Sequence, residues 1–522
     1  MLQSVLTVLI PAATVVGVDS RHRARCQGRT WPVAAGGWQR GSVTLDLPQC
    51  SPVRLTPQSL LDVDADVVLV TAGQDAAGEL LIDVPVDGLR EQLEALGFAG
   101  AWGTRQLVTR AGRSALLVVG TGRALDLPGV TLREPRHALA GALATLTSGR
   151  VGVSLGGAWD PLLVEAAVLG TYRFDRYANR PRPVELVLAD APEGVGDEIA
   201  EAQSRLESVC FARDWVSTPA GDKRPAVSAD LLVAEAERSG VEVRVWSTEE
   251  LQEAGCGGIL GVGQGSQQPA RIVQLTARGT SDEPPLVLVG KGLTYDAGGQ
   301  NIKTVWLEHM KLDMGGAAAV AGAVLHAGRR PRTRTVIGYL ALAENLISST
   351  AYLTGDVLRM HSGLTVEVAN TDAEGRLALA DAMSLADAGG AAAVLTVATL
   401  TGAAINALGP RTAAVMAFDE PLAATFAQAA ESAGESVWRM PVLPHFADSL
   451  KSHVADTTNL GSMQGQPMVA ATFLKRFAPE GVPFAHFDLA GPAFNMGEPY
   501  DGVPAGGTGY GVRTLVELLD RL

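Results

Sequence analysis

The chain has 522 residues, 47 % hydrophobic and 19 % charged, with 59 glycines and a net charge of -14. That length leaves room for two or three cores, and that composition excludes a disordered chain, which is too polar to bury enough apolar surface to fold. The acidity excludes non-specific attraction to phosphate backbones as a main role, because that attraction needs clustered lysine and arginine.

Residues 1–60 differ from the rest, with six arginines against two aspartates. Residues 1–58 show little periodicity and read as a poorly structured N-terminal extension. Their first 18 positions are mostly apolar, but they lack a basic leading segment and Pro11 interrupts them, so they do not read as a secretory signal. A cytoplasmic protein with no membrane partner is expected. Cys26, Cys50, Cys210 and Cys256 have no CxxC or zinc-finger spacing and are expected as reduced thiols.

From Leu61 the apolar runs become regular. Strands are predicted over 66–70 and 114–120 with a helix within 84–96, and this alternation makes 59–196 a smaller N-terminal α/β domain. A helix over 197–216 links it to a larger domain, 217–522. There, strands are predicted over 286–289, 336–340, 366–369 and 393–397, and small-residue helices over 315–326 and 377–388. Residues 388–410 carry no charge and are long enough to span a bilayer, but their Gly, Thr and Asn content reads as a buried strand followed by a loop. Near-continuous apolar strands with helical crossovers imply a two-domain α/β protein whose mainly parallel sheet is covered by helices on both faces.

Ligands of such sheets bind outside the carboxyl ends of the strands. The strand ending at Val289 delivers Lys291 and Asp296, the one ending at Ala369 delivers Asn370-Thr371-Asp372-Ala373-Glu374-Gly375-Arg376, and the one ending at Val397 delivers Thr399-Leu400-Thr401-Gly402. If Asp296, Asp313, Asp372 and Glu374 converge they repel one another unless divalent cations intervene. Hard oxygen ligands suit magnesium, manganese or zinc, and no His or Cys is spaced to build a softer site. A pair of such ions lowers the pKa of a shared water and polarises a carbonyl, so hydrolysis is the expected output. Lys291 is cationic at its ordinary pKa and ligates only if neighbouring dications favour the neutral amine. Lys303 and Arg376 are nearby cations that could stabilise oxyanionic charge or hold an anion. Gly290-Lys291-Gly292 is not a phosphate-binding Walker loop, since Pro285 stands where a glycine is required. His309, His326, His361, His445, His453 and His486 are scattered and read as structural.

From Ala212 onward these motifs resemble the leucyl aminopeptidase family of cytosolic metallopeptidases. The resemblance rests on Arg213 to Pro219, Gly261 to Ser266, Gly290 to Lys303, Asp313 to Ala317, Ala343-Glu344-Asn345, Asn370 to Leu377, Thr399 to Gly402 and Gly506 to Arg513. It implies Lys291, Asp296, Asp313 and Glu374 around one metal and Asp296, Asp372 and Glu374 around a second. It also implies a metal-bridging hydroxide that attacks the first peptide carbonyl, so that one N-terminal residue, leucine or another apolar one, is released. By position, Lys303 stabilises the gem-diolate, Arg376 holds a bicarbonate general base, and Met310, Asn370, Thr399, Leu400 and Gly402 border the first-residue pocket. Two manganese or zinc ions per subunit, with magnesium or cobalt as alternatives, peptide substrates and a homohexamer complete the expectation.

The chain departs from that pattern in places. Between Lys303 and Asp313 it is one residue shorter, lacks a proline after the lysine and carries Trp306, and 463–469 replaces a Gly- and Ala-rich stretch. Three other readings compete: a DNA-binding or architectural relative, a two-metal phosphatase or nuclease, and a metal-free structural relative with weak or no peptidase activity.

Overall fold

The computed structural model describes residues 53–55, 57–75, 78–82, 84–110, 113–123, 135–146, 149–154, 161–177, 184–190 and 194–522. Most of the expected extension, and the apolar start within it, lies outside these residues. Its described tail includes a strand, Val53–Leu55.

The first sheet has seven strands: β1 (Val53–Leu55), β2 (Val67–Gln74), β3 (Leu80–Ile82), β4 (Arg105–Val108), β5 (Ala115–Arg123), β6 (Gly149–Ser154) and β7 (Val184–Ala189). Their order is β1-β7-β6-β2-β5-β4, with β3 beside β2. All neighbours from β1 to β5 are parallel, while β3 and β4 are antiparallel. Both faces of β2 contribute to the core, which is why Val67-Val68-Leu69-Val70 is a continuous apolar run rather than an alternating one.

The second sheet contains β8 (Glu242–Trp246), β9 (Arg271–Ala277), β10 (Leu286–Asp296), β11 (Val336–Asn345), β14 (Ala393–Ala398), β15 (Ala413–Ala417), β16 (Val437–Arg439) and β18 (Phe484–Asp488), in the order β16-β15-β18-β14-β10-β11-β9-β8. Its four central strands, β18-β14-β10-β11, are parallel, and antiparallel pairs flank them on both sides. This is the mixed, mainly parallel α/β architecture that the apolar runs predicted. A small third sheet joins β12 (Val357–Arg359), β13 (Thr365–Glu367) and β17 (Thr457–Thr458).

Three predicted elements differ in ways that matter for the site. β10 does not stop at Val289 but continues to Asp296, because β11 pairs with it as far as Asp296↔Asn345. β14 pairs with it only to Gly290↔Val397, so the sheet opens beyond Lys291 on that side. The strand predicted at 366–369 belongs to the small sheet, so the Asn370 to Arg376 loop comes from outside the main one. Residues 388–410 form β14 and then the helix Gly402–Leu408 rather than a loop, because the Thr401 side chain accepts the orphan N–H of Ala404 at 3.3 Å.

Two helices hold the layers together. Gly196–Ser217 is buried along nearly all of its last ten residues. Thr218-Pro219 ends it, since proline cannot continue a helix, and the Lys223 ammonium donates to the carbonyls of Trp215 and Val216, left without a helical partner there, at 2.8 Å each. Gly315–Arg329 packs between that helix and the sheet. A Cβ on Gly316 would stand 2.1 Å from the Val397 carbonyl oxygen, so only glycine allows this helix to start against β14. Cys256 is a buried free thiol, as expected, while Cys26 and Cys50 lie outside the described residues. No helix of the described residues is long and apolar enough to cross a membrane.

Candidate metal centre

Where β10 loses its β14 neighbour, the predicted ligands come together. Asp296, Asp372 and Glu374 each present a carboxylate oxygen within 4.8 Å of the others. Asp313 joins through Lys291, whose ammonium lies 2.8 Å from Asp313 Oδ2 and 2.8 Å from Glu374 Oε1. On the outer side Lys303 sits 2.8 Å from Asp296 Oδ2 and pairs with Asp372. The Lys291, Asp313 and Glu374 side chains are at most 5 % exposed, whereas Lys303 is 19 % and Asp372 31 % exposed. The cluster therefore has a dry inner half and an outer half open to solvent.

Four carboxylates face two ammonium groups, which leaves the cluster short of positive charge. The shortage shows in the titration of its members. Burial, and then the neighbouring carboxylates, push Asp372 up to about 7. Burial also raises Asp296 and lifts Asp313 well above its ordinary value. Glu374 is held low: burial works against its charge, but Lys291 and Lys303 prevail. Burial alone would drive Lys291 toward the neutral amine expected of a ligand. Asp313, Glu374 and Asp296 instead hold it as a cation whose pKa is above the ordinary lysine value.

The donor set fits divalent cations on two counts. The carboxylates exceed their internal counter-charges, and buried oxygens remain unspent: Glu374 Oε2 and Asn345 Oδ1 have no hydrogen-bond partner among the described residues.

The Asn370 to Arg376 loop is held by polar residues that sequence reasoning gave no role. Asn459, fully buried, accepts the Ala369 N–H at 2.8 Å and donates to the Asn370 carbonyl at 2.7 Å. Asn345 Nδ2 donates both to Asp296 Oδ1 at 2.8 Å and to the Thr371 carbonyl at 3.0 Å, tying two carboxylate loops together. The Tyr352 hydroxyl donates to the same carbonyl at 2.7 Å. A polar Asn345 ending the apolar run of β11 was a readable signal, whereas Asn459 and Tyr352 carried none. Gly375 has a steric reason within its motif: a Cβ there would lie 2.4 Å from Lys291 Cε, so the glycine lets the lysine reach the cluster.

Lys223 also bears on the centre from a distance. Besides closing the helix Gly196–Ser217, it donates to the Lys311 carbonyl at 2.7 Å, two residues before Asp313.

Of the predicted pocket residues, Thr399 donates to Asp313 Oδ1 at 2.8 Å, and Asn370 Oδ1 accepts the Asp372 N–H at 2.7 Å. Leu400 N–H donates to Asp488, and Gly402 is exposed at the start of its short helix. Met310 is half-buried on the 3-10 helix Leu307–Leu312 that leads into Asp313. Buried Arg376 donates from Nη1 to the Asn459 carbonyl at 2.8 Å, while its Nε has no partner among the described residues. His326 is buried and bonded to Ser204, away from the cluster, whereas His486, buried and bonded to Thr396, lies close enough that Arg376 and Lys291 add to the effect of burial in drawing its pKa down to about 3.

Residues 210–516 match the cytosol aminopeptidase family, catalytic domain. A probable cytosol aminopeptidase of Streptomyces coelicolor is 39 % identical over 88 % of this chain and 96 % of its own length, and that of Streptomyces avermitilis is 40 % identical over 85 % and 92 %. Among solved structures, the bottromycin maturation enzyme BotP in complex with Mn superposes with a TM-score of 0.77 at 37 % identity, covering 88 % of this chain and 99 % of that one. A tomato leucine aminopeptidase variant gives 0.77 at 29 % identity, covering 91 % and 97 %. With a match that takes in every residue of the acidic cluster and relatives that extend over most of the chain, the protein belongs to the cytosol aminopeptidase family and is a metal-dependent aminopeptidase.

Proposed function

We propose that this chain removes single N-terminal residues, leucine or another apolar residue, from peptides with two divalent cations held by Lys291, Asp296, Asp313, Asp372 and Glu374. The observation that carries this reading is the excess of converging carboxylates over lysines at the split in the sheet. Two bound cations would supply a nucleophile from water near neutral pH and polarise the scissile carbonyl. Manganese, the ion in the BotP complex, and zinc are the candidates; magnesium and cobalt are the alternatives.

Lys303 is the cation of the outer half. Once Asp296 and Asp372 are committed to metal, its ammonium is free to meet the negative charge that develops on the attacked carbonyl oxygen. Arg376 offers Nε as a buried, unspent donor, which suits an anion such as the bicarbonate assigned to it as general base. Met310, Asn370, Thr399, Leu400 and Gly402 are assigned to the pocket for the first side chain. The domain limits expected from sequence, a homohexameric assembly and a cytoplasmic site belong to the same proposal.

The test is hydrolysis of leucine p-nitroanilide by chelated protein, before and after adding back manganese, zinc, magnesium or cobalt. Recovery in the wild type but not in Asp296→Ala supports the reading. Two bound metals with no activity on any N-terminal residue would overturn it.

A further inference from the structure

The mouth of the centre carries exposed apolar side chains that neither the metal site nor the core uses. Ile302, Val305 and Trp306 are 53 %, 60 % and 52 % exposed, and Leu353 is 49 % exposed. They lie on two loops tied to each other: Thr354 N–H donates to Gln300 at 3.1 Å, and its hydroxyl donates to Asn301 Oδ1 at 3.0 Å. The same Asn301 Oδ1 accepts the Thr371 N–H at 2.9 Å, so both loops are fixed to the Asn370 to Arg376 segment. Lys303 is the one charged residue between Gln300 and Trp306, and it turns inward to Asp296 and Asp372. Facing outward with the polar Gln300, Asn301 and Thr304 are the apolar Ile302, Val305 and Trp306.

Trp306 stands apart within this rim. Among the described residues four non-glycine positions have a left-handed φ; three are aspartates, which tolerate it, and the fourth is Trp306 at φ 60°. A bulky residue held there costs energy, and a half-exposed indole recovers little of it by burial. Its backbone is pinned, since its carbonyl accepts the His309 N–H at 2.9 Å and the next carbonyl accepts the Tyr295 hydroxyl at 3.2 Å. Three residues of chain place its Cα within about 11 Å of the Lys303 Cα.

If Lys303 meets the scissile carbonyl, the residue that follows that bond lies beside the segment that flanks Lys303. We infer that Trp306, with Ile302, Val305 and Leu353, forms an apolar subsite for the side chain of the second residue, the one after the scissile bond, and selects peptides in which that residue is large and apolar or aromatic. The inference rests on the peptidase reading above.

The experiment compares kcat/KM for Leu-Trp and Leu-Gly. Trp306→Gly removes the indole at a φ that glycine adopts freely, so the loop keeps its shape. It should lower the Leu-Trp to Leu-Gly ratio about tenfold, the scale of one aromatic contact, while Trp306→Phe retains most of it. Trp438→Ala, at a still more exposed tryptophan on β16, should leave the ratio unchanged. A ratio that Trp306→Gly does not change overturns the subsite even if the wild type cleaves both dipeptides. A shift in oligomeric state by sedimentation with that ratio unchanged also overturns it, and makes the rim a contact with a second copy. A wild type that cleaves neither dipeptide overturns the peptidase reading and the subsite with it.

Discussion

At the end of the helix Gly196–Ser217, Arg213 and Lys223 are buried cations closed by backbone carbonyls, whereas at the end of β10 four carboxylates face two lysines. Arg213 donates to the carbonyls of Thr508, Gly502 and Leu169 at 2.9, 3.0 and 3.3 Å, and Lys223 to those of Trp215, Val216 and Lys311. Burial draws Arg213 down to about 10 and Lys223 well below its ordinary value, yet the donors of both are satisfied within the chain. The acidic cluster is incomplete by the same standard. A buried polar group satisfied internally reads as structure; one left in charge deficit and partly open to solvent reads as a place for something the chain must acquire.

That contrast predicts opposite responses to substitution. Asp296→Asn keeps the side-chain shape and an oxygen for the Gly298 N–H while removing the charge two metals would share. Activity should fall about 1000-fold, several kcal/mol of lost electrophilic assistance, with little change in denaturant midpoint after chelation. A large loss of folding in the chelated variant would break the comparison. Lys223→Met should do the reverse: three buried carbonyls lose their donor, so unfolding free energy should drop by about 3 kcal/mol or more in urea titrations. Metal content per folded molecule should change far less.

Metal itself should stabilise the protein through the acidic cluster. Adding manganese to chelated wild type at about 100 times its dissociation constant should raise stability by about 2.7 kcal/mol. Asp372→Asn, in the open outer half, should weaken that gain without abolishing folding. No thermal shift with any of the four metals would remove the reason for the carboxylate excess.

The smallest effect concerns pH and the buried helix Gly196–Ser217. Asp214 accepts the Tyr172 hydroxyl at 2.6 Å, and burial pushes its carboxyl up to about 7 from an ordinary 3.8. A raised folded-state pKa means the folded protein holds a proton that the unfolded chain releases. The contribution of Asp214 is thus full below about 3.8 and fades as pH rises toward 7. Asp214→Asn does not titrate, so its stability relative to wild type should increase from pH 4 to pH 7. A difference that stays flat across that range would show that folding does not change the pKa of Asp214.

The metal-centre motifs were legible because their chemistry is local. Lys291 and Asp296 share one strand, and Asn370 to Arg376 form one loop whose residue types only a charge-rich site explains. The buried end of the helix Gly196–Ser217 was far less legible. Arg213 and Asp214 stood in a noted motif but had no assigned role, and Lys223 looked like any lysine after a turn. Their partners Leu169, Gly502, Thr508 and Lys311 lie 44 to 295 residues away for Arg213 and 88 for Lys223. No periodicity reports contacts at such separations.

What the sequence determined by itself was the alternation of apolar strands with helices and the supply of carboxylates, both of which follow from residue type and short spacing. What only the tertiary structure decided was where the sheet opens, which loop comes from the small third sheet, and that Lys291 reaches the cluster across Gly375. Those depend on the register between strands far apart in the chain and on backbones approaching within an atom's width, neither of which is written in any one segment.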